Sequence, residues 1–288
     1  MPTQEIAFKN NYFEMILRAA LELPGVKINR ESFLRKELSK YFDDDVVEKA
    51  IETNPAQAGL SIRNLEQRAK ACIHYETAKV TTISAAAGIP GGFAMAATLP
   101  ADIVQFFGHA VRILQKLIYL YGWQALFRGD DDGLDDETSN ELTLFIGVMF
   151  GVGAANAAIT KIANAAAIQT EKTLLRAALT KGTIYPIVNK IAKVLGFKMT
   201  KGIFAKGVGK AIPVVGAVIS GGVTYIGFRP MAKRLQNYLI DLPLASVDFY
   251  KESSINNIGD EIISVDFSDI VVEDVDGDDE ADEVNSIQ

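Results

Sequence analysis

The chain has 288 residues, a formal net charge of −7, 49% hydrophobic residues and a single cysteine, Cys72. This length is enough to bury a core in one large domain or two small ones. One cysteine excludes an internal disulfide framework, which fits a reducing cytosol, and we expect Cys72 to be a small core residue rather than a nucleophile. Residues 1–26 lack the uninterrupted apolar region of a secretory signal, so we expect the protein to stay in the compartment where it is made.

The charge is distributed very unevenly along the chain. Residues 255–288 contain twelve Asp or Glu and no Lys or Arg, whereas the other 254 residues hold all 29 cations and 24 anions. The body is therefore net basic, and its most basic segment is residues 161–210, where ten cations face the single anion Glu171.

Helical periodicity dominates the body, and we predict an all-α multi-helix bundle. Asn29 is predicted to start a first helix, the acidic run at residues 43–45 a second that Pro55 ends, and Ser61 a third that continues to Ala87. The glycine- and proline-rich residues 88–92 then break the chain into a helical hairpin.

The clearest amphipathic helix is predicted to open at Pro100 and to stop at Gly122. After an acidic loop, Thr138 and Glu141 form a predicted capping box that starts the next long helix. Shorter basic helices follow up to Ala211, and residues 211–237 return to the glycine-rich style of the first hairpin.

Three long stretches, residues 80–101, 142–160 and 211–228, carry no charge and approach the ~20 apolar residues that span a bilayer. Small residues four apart, such as Gly147 and Gly151, let helix backbones approach closely. The stretches fit tight packing in a soluble bundle, shallow membrane contact or true spanning, and the sequence leaves all three open.

Three regions are predicted along the chain. Residues 1–27 form an N-terminal helix, residues 28–248 a helical domain, and residues 249–288 an acidic tail that is largely disordered because it is polar and uniformly charged. The tail is expected to mask a basic surface or to recruit a partner.

A polar stripe follows one face of the helix after Pro100, because its members are three or four residues apart. The stripe consists of Asp102, Gln105, His109, Arg112 and Lys116. In one interpretation Asp102 orients His109 as a general base while Arg112 holds an anion, as in a hydrolase acting on an amphiphile. In the other, the stripe is the solvated face of an amphipathic helix, and Asp102 complements the helix dipole.

Other catalytic and metal-binding patterns are missing from the sequence. There is no His-Glu-x-x-His helix and no Gly-x-Ser-x-Gly turn, and the segment from Gly207 to Ile212 lacks key residues of a phosphate loop. The acidic runs 130–132 and 274–278 do not fit the twelve-residue calcium loop. We therefore expect no metal and no cofactor.

The basic segment combines lysines with apolar residues in the manner of an interfacial helix. Ile187, Ile191 and Val194 supply the apolar side. The residues predicted to contact lipid are Lys190, Lys193, Lys198, Lys201, Lys206 and Lys210. At ~1 kcal/mol per cation near an anionic leaflet, such a set gives reversible binding. Few aromatics accompany these lysines, so no nucleic-acid partner is expected.

Several motifs in order resemble the EcsC-like family of bacterial proteins. They are Phe33-Leu34-Arg35-Lys36-Glu37-Leu38, Gly88-Ile89-Pro90-Gly91-Gly92, Leu99-Pro100-Ala101-Asp102, the run from Gln115 to Gly122, and Ile212-Pro213-Val214-Val215-Gly216. The resemblance covers about residues 28–245. It implies a mainly helical, membrane-associated protein and, from the family's link to an ABC transporter, an accessory role in transport. It carries over no catalytic residues.

The leading hypothesis is a non-enzymatic peripheral membrane protein at the cytosolic face, which binds anionic lipid or a membrane-protein partner through basic amphipathic helices. The alternatives are an enzyme that uses Asp102, His109 and Arg112, and an integral or pore-forming helical protein. A homo-oligomer is compatible with each of them.

Overall fold

The computed structural model describes residues 12–83, 101–127, 134–168, 181–194 and 221–256. Over these residues every regular element is helical, which confirms the predicted all-α bundle. The α-helices are α1 Tyr12–Leu21, α2 Arg30–Leu38, α3 Asp44–Glu52, α4 Ile62–Ile83, α5 Ala101–Leu120, α6 Asp136–Phe150, α7 Gly153–Ile168, α8 Lys181–Val194, α9 Gly221–Ile240 and α10 Val247–Asn256. A 3₁₀ turn, Pro243–Ala245, precedes α10.

The first helices begin where their caps predict. The Asn29 side chain accepts a 2.8 Å hydrogen bond from the Ser32 amide, which satisfies a free donor at the start of α2. α1 packs on α5 through an edge-on contact between Phe13 and Phe107, whose ring centres lie 5.5 Å apart. The N-terminal helix is therefore part of the core.

Arg30 ties α2 to the end of α3. It is buried, and its guanidinium donates to the backbone carbonyls of Ile51, Thr53 and Trp123 at 2.7, 3.0 and 3.0 Å. Two of these carbonyls belong to the end of α3, where the last turn leaves acceptors without helical partners. A buried cation is therefore accommodated as a helix cap.

Helices α4, α5 and α9 form one layer, in which α4 runs antiparallel to the other two. The amide nitrogen of Gln236 on α9 lies 3.5 Å from the Glu66 carbonyl on α4 and 3.3 Å from the Tyr121 hydroxyl just after α5. One end of the layer thus holds the start of α4 and the ends of α5 and α9. Ile83, Ala101 and Gly221 consequently share the opposite end.

Helix α6 is buried among four other helices. Residues 142–149 are buried on every side, and α5, α7, α8 and α9 pack around the helix. A helix that is apolar all round belongs in a core or in a membrane. Helix α6 has only 15 residues, too few to span a bilayer, and other helices surround it, so it belongs to the core.

Residues 142–160 do not form one apolar span, so of the three open interpretations true spanning does not fit this stretch. The chain turns at Gly151, whose φ of 77° is left-handed, and its amide bonds the carbonyls of Gly147 and Val148. Glycine adopts this conformation without a steric penalty, so it ends α6 before α7 begins. Over the ranges given above, no helix is both long and apolar enough to cross a bilayer.

The predicted capping box at the start of α6 is also wrong. The helix begins at Asp136, and the Asp135 side chain accepts a 2.6 Å hydrogen bond from the Thr138 amide. Aspartate is at least as good an N-cap as threonine and comes earlier in the chain. The Thr138 hydroxyl instead donates to the Leu126 carbonyl.

The predicted start of the disordered tail is placed too early. Residues 249–256 continue α10, where Phe249 packs against the core and Tyr250 accepts a 2.8 Å hydrogen bond from Asn54. The contact of Phe249 with the core and the hydrogen bond of Tyr250 hold this polar segment against the bundle as a helix. The predicted hairpin at residues 88–92, the stretch 211–220 and the tail from residue 257 lie outside the described residues.

Candidate functional site

The polar stripe of α5 faces α4. The side chains of His109, Arg112 and Lys116 are only 14%, 18% and 13% exposed. They surround the carboxylate of Glu76 on α4, which is fully buried. The interpretation of these three residues as a solvated face is therefore wrong, because a carboxylate on the neighbouring helix draws them inward.

Glu76 uses both carboxylate oxygens. Oε1 accepts from Lys116 Nζ at 2.5 Å and from Arg112 Nη2 at 3.3 Å, while Oε2 accepts from Arg112 Nε at 3.4 Å. Charge-assisted bonds of this kind are about twice as strong as neutral ones. The cluster thus fastens the middle of α4 to the middle of α5.

The protonation state of Glu76 follows from two opposed effects. Burial disfavours its charged form, but the hydrogen bonds from Lys116 and Arg112 and the charge of Lys116 prevail, so its pKa lies well below the usual range. Glu76 is consequently an anion at neutral pH.

His109 is the least satisfied member of this cluster. Its Nδ1 is buried and lies 4.0 Å from Glu76 Oε2, beyond hydrogen-bond distance, and it has no other partner among the described residues. Its neighbouring carboxylate is Glu76, whereas Asp102 stands two turns away at the start of α5. The Asp102 side chain lies outside the described part of the structure.

Arg112 is engaged on both sides. Besides Glu76, its guanidinium donates to the Gly25 carbonyl in the loop after α1. The anion that Arg112 was predicted to hold is thus supplied by the protein itself. These contacts favour a role in joining α1, α4 and α5 over a role in binding substrate.

The cluster reaches the surface at Tyr75. This ring is 54% exposed and has two ammonium groups near it, Lys79 Nζ at 5.4 Å and Lys116 Nζ at 5.3 Å from its centre. Both distances suit a cation–π interaction. Two cations, Arg112 and Lys116, therefore contact the single carboxylate of Glu76, and Lys79 adds a third positive charge at the Tyr75 ring.

Cys72 lies one turn before Glu76. It is a free, buried thiol whose pKa burial, together with the nearby Glu37, raises to about 12. A thiol with such a pKa is almost entirely protonated at neutral pH and is a poor nucleophile. This agrees with its prediction as a core residue.

Glu76 is the site residue that the sequence prediction missed. Its signal was its position, because Leu65, Ala69, Cys72 and Glu76 follow one another at intervals of four, three and four residues. The first three are buried, so this spacing carries Glu76 onto the same buried face. A carboxylate at such a position requires a cationic partner.

The predicted lipid-contact helix differs from expectation in one respect. Lys190 is exposed on α8, but the apolar residues Ile187 and Ile191 are buried in the core. Ile187 lies against Gly147 of α6. The Lys193 side chain and residues Lys198, Lys201, Lys206 and Lys210 lie outside the described part, as do the acidic runs 130–132 and 274–278.

The apolar face of α8 is buried for a physical reason. Helix α6 is apolar on all sides and needs partners, so it takes the apolar face of α8 that was predicted to meet lipid. At Lys190, α8 presents a positive charge to the outside.

Comparison with known proteins adds no constraint, because the chain matches no protein-family model, no curated protein and no solved structure.

Proposed function

We propose that this protein is a non-enzymatic, peripheral membrane protein that binds anionic lipid from the cytosolic side. One observation carries the proposal: Ile83, Ala101 and Gly221, where two of the uncharged stretches join the described helices, share one end of the α4–α5–α9 layer. Two apolar stretches that are far apart in the sequence thus adjoin helices at the same end of the layer, which supports contact of both with one membrane surface.

Charge supplies the second component of the proposed binding. Lys190 is exposed on α8, and the surrounding residues 161–210 hold ten cations against one anion. Because the apolar residues of α8 are occupied in the core, this helix contributes by attraction to anionic headgroups and not by insertion. Binding should therefore be sensitive to salt.

The motif series that resembles the EcsC-like family supports the same proposal. That resemblance implies membrane association and an accessory role in transport, and both remain proposals for this chain. The engagement of Arg112 by Glu76 and the Gly25 carbonyl gives no support to the hydrolase alternative.

Flotation of the full chain with vesicles tests the proposal. We expect the protein to float with phosphatidylserine-containing vesicles at low salt, to stay at the bottom with pure phosphatidylcholine, and to be released by concentrated salt. The double variant Lys190→Glu/Lys193→Glu removes two cations at ~1 kcal/mol each and adds two anions, so it should weaken binding by at least about thirtyfold.

The matched control is Lys36→Glu/Lys49→Glu. It makes the same charge change at exposed positions of α2 and α3 and should leave flotation close to that of the unaltered chain. Equal loss in both double variants would reduce the effect to net charge. Failure of the unaltered chain to float with anionic vesicles at low salt would refute the proposal.

A further inference from the structure

A basic surface lies where the outer faces of α4 and α9 meet, away from the Glu76 cluster and from α8. It comprises four exposed side chains, which we call the basic strip: Arg63, Lys70, Arg229 and Lys233. The nearest carboxylate on these faces, Glu66, is paired with Lys70 at 3.3 Å. The strip therefore carries a surplus of positive charge.

The register of the two helices brings Lys70, Arg229 and Lys233 together, and Arg63 lies two turns before Lys70 on α4. Gln236 contacts the Glu66 carbonyl, and α9 runs antiparallel to α4. Moving seven residues back along α9 and seven forward along α4 therefore places Arg229 beside Ile73, one turn from Lys70. Lys233 falls between these two levels, next to Lys70.

The exposed residues of the strip lie beside the interface between α4 and α9. On α9, Ala232 and Gln236 are buried towards α4, and Arg229 and Lys233 are the adjacent exposed positions around the helix. Within the described ranges, no carboxylate lies within ion-pair distance of Arg229 or Lys233. The strip thus has the charge of a binding surface, and no acidic segment of the described ranges covers it.

The chain itself supplies an acidic segment of matching charge. Residues 257–288 contain twelve Asp or Glu and no Lys or Arg. They follow α10, which the 2.8 Å bond between Asn54 and Tyr250 holds close to the start of α4. An extended chain of this length reaches about 100 Å, whereas α9 is only about 30 Å long.

We propose that residues 257–288 fold back along the bundle and bind the basic strip, so that the strip is the intramolecular docking site of the acidic tail. Exposed charges attract the tail over about 10 Å at physiological salt, and several weak ion pairs act together. The tail then occupies the α4–α9 face and excludes other anionic partners from it. This inference does not depend on lipid binding.

Zero-length carbodiimide cross-linking of the full chain tests the proposal, since it joins a lysine amine to a carboxylate only when the two are in contact. Trypsin then releases the tail as one peptide that begins at Glu252 and contains no internal Lys or Arg. We expect this peptide to be joined chiefly to Lys70 and Lys233, with the cross-links lost in concentrated salt.

A double variant tests the role of the strip without removing the reporting lysines. Arg63→Glu/Arg229→Glu should lower the yield of both cross-links by at least about fivefold, because two attractive contacts become repulsive. Lys36→Glu/Lys49→Glu, with the same charge change on α2 and α3, should leave the yield unchanged. Circular dichroism checks that each variant is folded.

Three outcomes would overturn the proposal. They are tail cross-links concentrated on the lysines of residues 181–210, cross-links that persist unchanged in the double arginine variant, and a yield at low salt no higher than in concentrated salt. A mixture of isotope-labelled and unlabelled protein identifies joins between two molecules, and a majority of mixed products would also count against docking within one chain.

Discussion

Side chains on another helix stabilise the charged form of Glu76. Its carboxylate is fully buried, and an isolated charge in that position would cost several kcal/mol. Lys116 and Arg112 offset this cost with three hydrogen bonds, and their own side chains stay partly exposed at the edge of the interface. The cluster therefore depends on Glu76, whose removal would leave Lys116 and one side of Arg112 without the carboxylate that they contact.

We predict that Glu76→Gln lowers the free energy of unfolding by about 2–4 kcal/mol at pH 7. An amide presents its own N–H groups to the donors of Lys116 and Arg112, so part of the cluster is left unpaired. Glu66→Gln, at the more exposed pair with Lys70, should cost no more than about 0.5 kcal/mol. Urea unfolding followed by circular dichroism measures both, and equal costs would contradict the burial argument.

The same variant tests the pH dependence. Because the folded pKa of Glu76 is lowered from its ordinary value of 4.5, its stabilising effect is complete above that value and is lost as the pH falls towards the folded pKa. The difference in stability between the unaltered chain and Glu76→Gln should therefore shrink between pH 5 and pH 3. A difference that stays constant over this range would contradict the assignment of the charge to Glu76.

At the scale of elements, the two glycines near the end of α6 have different roles. Gly147 lets α7 and α8 pack closely on α6, because a Cβ there would lie 2.7 Å from Ala155 Cβ and 2.8 Å from Ile187 Cγ2. Gly151 gives the left-handed turn that ends the helix. Their spacing of four suggested one helix interface, but only the first glycine serves that purpose.

We predict that Gly147→Ala costs about 1–3 kcal/mol, since the added methyl group must push α7 and α8 away from α6. The control is Gly227→Ala within α9, where an added Cβ meets no atom within 4 Å. That change should be neutral or should stabilise the protein by up to about 1 kcal/mol, because alanine is the better helix former. Thermal unfolding of both variants gives the comparison, and a neutral Gly147→Ala would show that the three helices can separate easily.

Helix starts and stops were predictable where a local signal decides them. Asn29 begins α2 and Gly122 follows α5 because a side-chain acceptor and a glycine with positive φ act within one turn. The division of residues 142–160 into two helices was not predicted, and the tail boundary at residue 249 was predicted wrongly, because the packing around α6 and the bond of Tyr250 to Asn54 are long-range. The candidate site shows the same division, since the stripe on α5 was visible but its partner Glu76 was not.

For the molecule as a whole, burial differs strongly from one described helix to another. Residues 142–149 are buried throughout, whereas α2 exposes Glu31, Ser32, Arg35 and Lys36. Local opening costs least where few apolar contacts are lost. We therefore predict that amides of α6 exchange with solvent on the order of a hundredfold more slowly than those of α2 in native-state hydrogen exchange. Similar protection of the two helices would indicate a single cooperative unit.

The bond between Asn54 and Tyr250 joins residues 196 positions apart in the chain. A ribosome adding about 5–20 residues per second needs about 10–40 s to synthesise the intervening segment. The turn before α4 must therefore wait, uncovered, until the last described helix has been made. During that interval the nascent protein exposes to chaperones and proteases a surface that the finished protein conceals.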